Sequence, residues 1–485
     1  MSLISAIPKA DDALESTLDD TLLTIFNTQR NNYLNHRYPS YEDRLDNLQT
    51  LYRLIDLHSA EIAQALNKDF GCRAVQETEM VEIIGSLSSI RYLMKNLRRF
   101  MAAQKRHTSI WFLPATNKVH LQPLGVIGVM APWNYSVHLT IAPVATALAA
   151  GNRVMAKMSE LTPCTSALLN RLITDAFDKD TLAIIEGDAD ISRAFSELPF
   201  DHLLFTGSTA VGKKIALAAA QNLTPVTLEL SGKSPVIIDK NYPIEEAAKR
   251  TLWGKVFNAG QTCIAPDYVL VHEDKLLEFV RAARKTVTDF YPNGIDTGDY
   301  TAVINRQHFN RLQSLLDDAK AKGCEIISLA KTVEQTHKLA PTLVIQPTKA
   351  CELFDEELFG PVLPVFTYND IDDAIKQVDA HPDPLALYIF SKQKTQVAYI
   401  TQRIRAGSTL VNDTLLQYLQ TDLPFGGVGN SGNGKYHGRE GFEAFSNKQA
   451  TVKQRGLGHF TGIKLLYPPY SGLAKLMKTL IRKWP

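Results

Sequence analysis

Cysteine is scarce in this chain: Cys72, Cys164, Cys263, Cys324 and Cys351 are its five, odd in number and without a Cys-x-x-Cys pair. That excludes a disulfide framework and a zinc knuckle, and it fits reduced thiols in a cytoplasm, one of them free to act as a nucleophile. Net charge is nearly missing as well. Lys and Arg number 52 against 51 Asp and Glu, a balance of +1, so the whole-chain basic footprint of a nucleic-acid binder is absent. No apolar run approaches the roughly 18 residues of a membrane-spanning helix. An export signal is lacking too. Asp11, Asp12, Glu15, Asp19 and Asp20 stand where a signal peptide needs a basic start and an apolar stretch, and they exclude an acid-poor transit peptide.

What is there is the balance of a soluble globular protein, 45% hydrophobic and 21% charged. A length of 485 residues suggests two or three domains. Residues 10 to 105 read mainly as helices. Leu45, Leu48, Leu51, Leu54 and Ile55 recur at helical spacing, Gly71 is placed to cap a helix ending at Phe70, and Met80 to Phe100 predicts another long helix. Trp111 to Pro114 and Lys118 to Pro123 read as two extended pieces around a polar turn, an arm toward another subunit or an internal edge hairpin. From Gly125 to Glu229, short apolar runs at 125–130, 152–157, 182–185 and 202–205 alternate with helical segments, as in a doubly wound parallel sheet. A second α/β texture runs from about Ser234 to Leu423, with strands expected at 235–238, 268–271 and 387–390 and a helix from Lys275 to Tyr291.

Five segments can carry chemistry. Phe205 to Gly212 passes from a strand into a helix through small residues, which lets a phosphate approach the helix N-terminus; it is not a full Gly-x-Gly-x-x-Gly, and a tight turn without ligand is equally consistent. A strand delivers Lys157 and Glu160 at its carboxyl end, where open α/β sheets bind ligands. Cys263 follows a glycine turn, although a lone cysteine is more often a small buried hydrophobe. Glu229 sits in an apolar run at a strand end, where burial raises a carboxyl pKa toward that of a general base. Asn134 follows a buried strand, and its amide is a donor suited to an oxyanion or to a structural turn.

Together and in this order, the segments resemble the aldehyde dehydrogenase superfamily from about residue 10 to residue 455. The likeness is strongest to its class 3 branch, which includes fatty and aromatic aldehyde enzymes and bacterial coniferyl aldehyde dehydrogenases. It rests on Asn258-Ala259-Gly260-Gln261-Thr262-Cys263-Ile264-Ala265-Pro266-Asp267-Tyr268, on Pro424 to Gly432, on Tyr436-His437-Gly438, on Leu198 to Thr209 and on the late Tyr467-Pro468-Pro469.

The resemblance implies a Rossmann-type cofactor domain (1–107 and 124–230), a catalytic α/β domain (231–439), a β-hairpin oligomerisation arm (108–123 and 440–455) and a basic tail (456–485). It implies that Cys263 is the nucleophile, Glu229 the general base and Asn134 an oxyanion donor. Lys157 and Glu160 fall on the adenosine-ribose contacts, Gly207, Ser208 and Gly212 on the pyrophosphate turn, and Glu357 and Phe359 on the nicotinamide-ribose side. The reaction implied is oxidation of an aldehyde to an acid with NAD, or NADP, through a thiohemiacetal and a thioester, with no metal. The carboxylate of Glu160 would disfavour a 2′-phosphate. Tyr135, Trp253 and Tyr418 are aromatics near these segments that suit either an apolar substrate tunnel or the core; the branch suggests coniferyl-type aromatic or medium-to-long aliphatic aldehydes. A coenzyme A-acylating enzyme, a cysteine esterase and a non-catalytic binding protein are the competing readings, and Glu229, the cofactor segments and the Cys263–Glu229–Asn134 set argue against them in turn.

Some positions depart from the family pattern. Met158 stands where proline is common. Ser231 stands where the branch often has glycine, which would strain a backbone needing positive φ. His437 reads as a hydrogen-bonding residue of a glycine-rich loop. Leu473, Leu476, Met477, Leu480, Ile481 and Trp484 form an apolar stripe in the basic tail. That stripe suits docking on a partner subunit rather than a membrane surface. A cytoplasmic homodimer or higher oligomer is expected.

Overall fold

The computed structural model describes residues 10–109 and 112–454 together with residues 468, 479 and 482; for residues 10–20 it describes the backbone alone. The tail helix expected over 456–485, Trp111, and Tyr467 and Pro469 of the late motif lie outside the described residues.

Burial on both faces explains why the first sheet reads as continuous apolar runs rather than alternation. Its strands Val126–Met130, Arg153–Lys157 and Leu182–Ile185 are buried throughout. Along the sheet, Val226–Glu229, His202–Thr206, Val126–Met130, Arg153–Lys157 and Leu182–Ile185 are neighbours in that order, all parallel. Gly432–Asn433 adds a short antiparallel edge, setting Gly432 opposite Glu229. The second sheet has seven strands in the order Glu325–Ser328, Thr342–Ile345, Val362–Tyr368, Tyr268–His272, Pro235–Ile238, Ala386–Phe390 and Ser408–Val411, parallel except for the first pair. The α/β class and the parallel sheets expected from the sequence are present.

Helices cover these sheets with the expected periodicity. Leu48, Leu51, Leu54 and Ile55 are buried on Tyr41–Leu57. Gly71 ends Ser59–Phe70 at φ 71, the left-handed cap that glycine adopts without strain. The helix expected at Met80 to Phe100 is interrupted: Thr78–Ile84 is a π-helical turn, and the α-helix proper is Gly85–Met101. That turn places buried Glu82 so that its Oε2 accepts Val137 N–H at 3.0 Å and His138 N–H at 2.7 Å, at the start of the wholly buried helix His138–Ala149. The four first N–H groups of a helix need such partners. Arg73, also fully buried, lies 3.2 Å from the other Glu82 oxygen.

The expected hairpin differs. Phe112 to Pro114 form a turn, and Thr116–Pro123 pairs instead with Gln104–Arg106 on one side and with all eight residues of Ser446–Lys453 on the other. The hairpin reading failed because the partners of Thr116–Pro123 come from distant segments, which local apolar content does not reveal. No helix among the described residues is long and apolar enough to cross a membrane.

Candidate active site

Four of the singled-out segments share one sheet edge because they follow the carboxyl ends of adjacent parallel strands. Asn134 comes after Val126–Met130, Lys157 ends Arg153–Lys157, Gly207 and Ser208 come after His202–Thr206, and Glu229 ends Val226–Glu229. Open α/β sheets bind ligands at that edge. Cys263 reaches it from the second half of the chain, after the helix Ile244–Val256.

The turn before Cys263 is unusual. Asn258, Ala259 and Gly260 all have positive φ, at 50, 51 and 73°. Only glycine serves at the third: a Cβ there would lie 2.4 Å from Gly360 O. Hydrogen bonds hold Asn258 in the left-handed region. Asn258 N–H donates to Glu77 Oε2 at 3.1 Å, and Thr301 donates to the same oxygen at 2.6 Å. Gln261 donates to Asn258 O at 2.9 Å and Ala302 O at 3.0 Å, and its Oε1 accepts Ile304 N–H. Asn134 Nδ2 donates to Gln261 O at 3.0 Å, and Tyr135 OH lies 2.6 Å from Thr262 Oγ1. The Asn134 and Cys263 segments are thus fixed to one another.

Cys263 lines two cavities. The larger one, of about 280 Å³, carries the polar side chains among apolar walls and is called the polar cavity; it is bordered by Asn134, Gly207, Ser208, Glu229, Glu357 and Phe359, with Trp133, Arg311 and Tyr436 among its other walls. The other is almost wholly apolar and is lined by Tyr135, Trp253, Phe257 and Tyr418 with Met80, Leu415 and others. Tyr418 borders both. Tyr135, Trp253 and Tyr418 therefore meet on one wall system beside Cys263.

Burial dominates the electrostatics. The Cys263 thiol is pushed up to about 12 by desolvation, with Glu357 and then Glu229 adding to the rise. Burial lifts Glu229 well above the carboxylate range, opposed by Lys435, and neither carboxyl oxygen has a hydrogen-bond partner. Gly426 packs against that group: a Cβ there would lie 2.6 Å from Glu229 Oε1. Glu357 is raised to about 8 by desolvation and by Asp267, while hydrogen bonds from Ser231 and Gly232 pull the other way. Ser231 is thus not a strained substitute for glycine. It has no positive φ, and its hydroxyl serves Glu357.

Other positions fall elsewhere. Ser208 caps the helix Thr209–Gln221, its Oγ accepting Val211 N–H. Gly212 lies inside that helix and does not border the polar cavity; a Cβ there would meet Leu230 Cδ2 at 2.4 Å, so the glycine permits close helix packing. Lys157 and Glu160 also lie outside the cavity wall. Lys157 is buried and donates to Met158 O at 2.6 Å, and Glu160 is exposed. Both ring nitrogens of His437 are buried without a partner, against the expectation of a hydrogen-bonding role, because Tyr418, Phe425 and Tyr436 surround the ring. Sequence reasoning missed Arg311, which holds the Glu357 loop by donating to Leu358 O at 2.5 Å, and Lys435 beside Glu229. Neither carries a local signal, since each acts on a residue distant along the chain.

The chain is 44% identical over 449 residues to a probable coniferyl aldehyde dehydrogenase of Pseudomonas aeruginosa, covering 93% of this chain and 94% of that one. Among solved structures, the substrate-bound state of Staphylococcus aureus AldH superposes with a TM-score of 0.90 at 35% identity, over 95% of this chain and 99% of that one. A Staphylococcus aureus betaine aldehyde dehydrogenase in complex with NAD+ gives 0.81 at 25% identity, over 91% of each chain. The profile of the aldehyde dehydrogenase family matches residues 28–451, the stretch that holds both sheets and every segment of the site, and so the chain belongs to that family.

Proposed function

We propose that this protein oxidises an aldehyde to its carboxylic acid with NAD(P) as acceptor, through covalent intermediates on Cys263. One observation carries the residue assignments: Cys263 stands between an apolar cavity and a polar cavity walled by Asn134, Glu229, Glu357 and Phe359. The aldehyde enters the first. The residues present fit a dinucleotide in the second and along the sheet edge. Gly207 and the Ser208-capped helix start border the cavity, and Lys157 and Glu160 stand two strands away at the same carboxyl edge. In this reading Gly207, Ser208 and the helix containing Gly212 hold the pyrophosphate, Lys157 and Glu160 the adenosine ribose, and Glu357 and Phe359 the nicotinamide ribose. Glu160 favours NAD over NADP. NAD(P) held by these residues would supply the hydride acceptor for the oxidation.

Cys263 gives its proton to solvent water and attacks the carbonyl carbon as the thiolate. The second N–H of the Asn134 amide and the backbone N–H of Cys263 stabilise the oxyanion. After oxidation a thioester remains on Cys263. Glu229 takes a proton from water, and that water releases the acid. The aromatic walls of the apolar cavity and the coniferyl aldehyde dehydrogenase relative support aromatic, coniferyl-type substrates, with medium-to-long aliphatic aldehydes the other class that fits. The boundaries 1–107 with 124–230, 108–123 with 440–455, and 231–439 serve as cofactor, arm and catalytic units. The arm joins a second copy: Ser446–Lys453 is an edge strand with seven exposed residues, including Val452, and no described strand pairs its outer side.

The test is NADH formation across aldehydes from acetaldehyde through decanal to benzaldehyde and coniferyl aldehyde, with Cys263→Ala alongside. Activity lost in the variant is expected; activity that survives it overturns the assignment of Cys263. Glu160→Gln narrows the ratio of kcat/KM for NAD over NADP, and an unchanged ratio rejects that role. Sedimentation of the intact chain is expected to show at least a dimer.

A further inference from the structure

The lining of the apolar cavity includes a histidine with a ring nitrogen that no described residue bonds. Two hydroxyls of its lining are matched: Tyr135 OH with Thr262 Oγ1 at 2.6 Å, and Tyr418 OH with Tyr436 OH at 3.2 Å. His138 also lines this cavity, is 2% exposed and packs edge-on against Tyr418 at 5.4 Å.

Its tautomer follows from its neighbours. Ser86 Oγ lies 2.6 Å from Glu82 O, a carbonyl, so the hydroxyl proton is committed there. His138 Nδ1 lies 3.1 Å from the same Oγ. With that hydroxyl already donating, Nδ1 must carry the ring proton and donate to it. Nε2 is then a bare acceptor. Burial lowers the ring to about 4, so it stays neutral near pH 7. No described group bonds to Nε2, and unlike the nitrogens of His437 it is not sealed in the interior. The ring that carries it lines the cavity.

Filling this cavity with a purely apolar body strips water from Nε2 and strands an acceptor. A hydroxyl donor on the same body restores the bond. A site built to bond a hydroxyl discriminates strongly against the analogue that lacks it. The ring-lined walls of Tyr135, Trp253, Phe257 and Tyr418 suit an aromatic body.

We propose that His138 is a specificity-determining residue that accepts a hydrogen bond from a phenolic hydroxyl of the substrate, making hydroxyaryl aldehydes the preferred class. This rests on the reading that the apolar cavity holds the aldehyde.

The experiment compares kcat/KM for para-hydroxycinnamaldehyde and cinnamaldehyde. The wild type is expected to favour the hydroxylated substrate about tenfold. His138→Phe removes the acceptor, and the ratio falls toward one. His138→Gln offers an amide oxygen and recovers part of the ratio. A ratio that is the same in wild type and His138→Phe overturns the proposal. So does a wild type that oxidises decanal and neither cinnamaldehyde, although aldehyde oxidation itself then stands. A folded wild type that oxidises no aldehyde overturns the underlying reading and this one with it. Should His138→Phe fail to fold, the wild type alone decides. As competitive inhibitors of hexanal oxidation, para-cresol is expected to bind at least about fivefold more tightly than toluene, and equal inhibition overturns the assignment.

Discussion

Lys233 Nζ lies 2.6 Å from Asp267 Oδ2, and both side chains are buried. The same ammonium donates to Glu356 O at 2.7 Å and Leu353 O at 3.3 Å, while Asp267 Oδ1 accepts Leu358 N–H at 3.0 Å. One buried ion pair therefore clamps both sides of Glu357. Its desolvation cost is offset by the bonds each partner makes to the loop.

Lys233→Met leaves Asp267 as an unpaired buried charge. Loss of about 3–5 kcal/mol is expected in urea denaturation. The surviving folded enzyme is expected to show a raised KM for NAD, because the Glu357–Phe359 loop is released. Unchanged stability and KM would show that the clamp is idle.

Gly260→Ala forces a Cβ against Gly360 O at 2.4 Å in a residue with φ 73°. The turn carrying Cys263 and the loop carrying Phe359 must then separate. A displacement near 1 Å at a reacting group costs about a hundredfold, so kcat/KM is expected to fall by about that factor. Kinetics with the best aldehyde of the panel measures it.

The thiol of Cys263, held near 12 by burial and then by Glu357, reacts only as thiolate. Inactivation of the cofactor-free protein by iodoacetamide is expected to keep accelerating from about pH 7 to 9, by somewhat less than about tenfold per pH unit because Glu357 ionises in that range. Glu357 is itself raised to about 8, so its repulsion acts once it has ionised. At about pH 9, Glu357→Gln is therefore expected to react several-fold faster than wild type. A plateau below pH 9 contradicts the raised thiol.

Glu77 accepts the bonds that hold Asn258 in place, and burial raises its carboxyl from 4.5 to about 7. The folded state binds this proton more tightly than the unfolded chain. The stabilisation is complete below pH 4.5 and is lost as pH rises through 7. The shift corresponds to about 3 kcal/mol. Glu77→Gln does not titrate, so its stability relative to wild type is expected to rise between those pH values. Parallel denaturation curves at pH 5 and 8 would exclude the shift.

Much of this molecule was legible in its residues. The buried runs at 126–130, 153–157, 182–185 and 202–206 became adjacent parallel strands because chain segments with no polar face must be covered on both sides. The segments around Asn134, Glu229 and Cys263 were recognisable by order and residue type, and all three now border one cavity. The hairpin was misread because its strand partners, 104–106 and 446–453, are chosen by tertiary pairing and not by local composition.

Sequence by itself determined the two parallel sheets, the family, and the residue types the chemistry needs. These follow from local apolar patterning and from short motifs whose meaning travels with them. Tertiary structure alone decided that Ser231 serves Glu357, that Gly212 packs against Leu230, that Lys233 and Asp267 clamp a loop far along the chain, and that His138 lines an apolar cavity. Each depends on a partner brought close by folding. A hydrogen bond, a burial penalty or a steric limit exists only once the second group is in place.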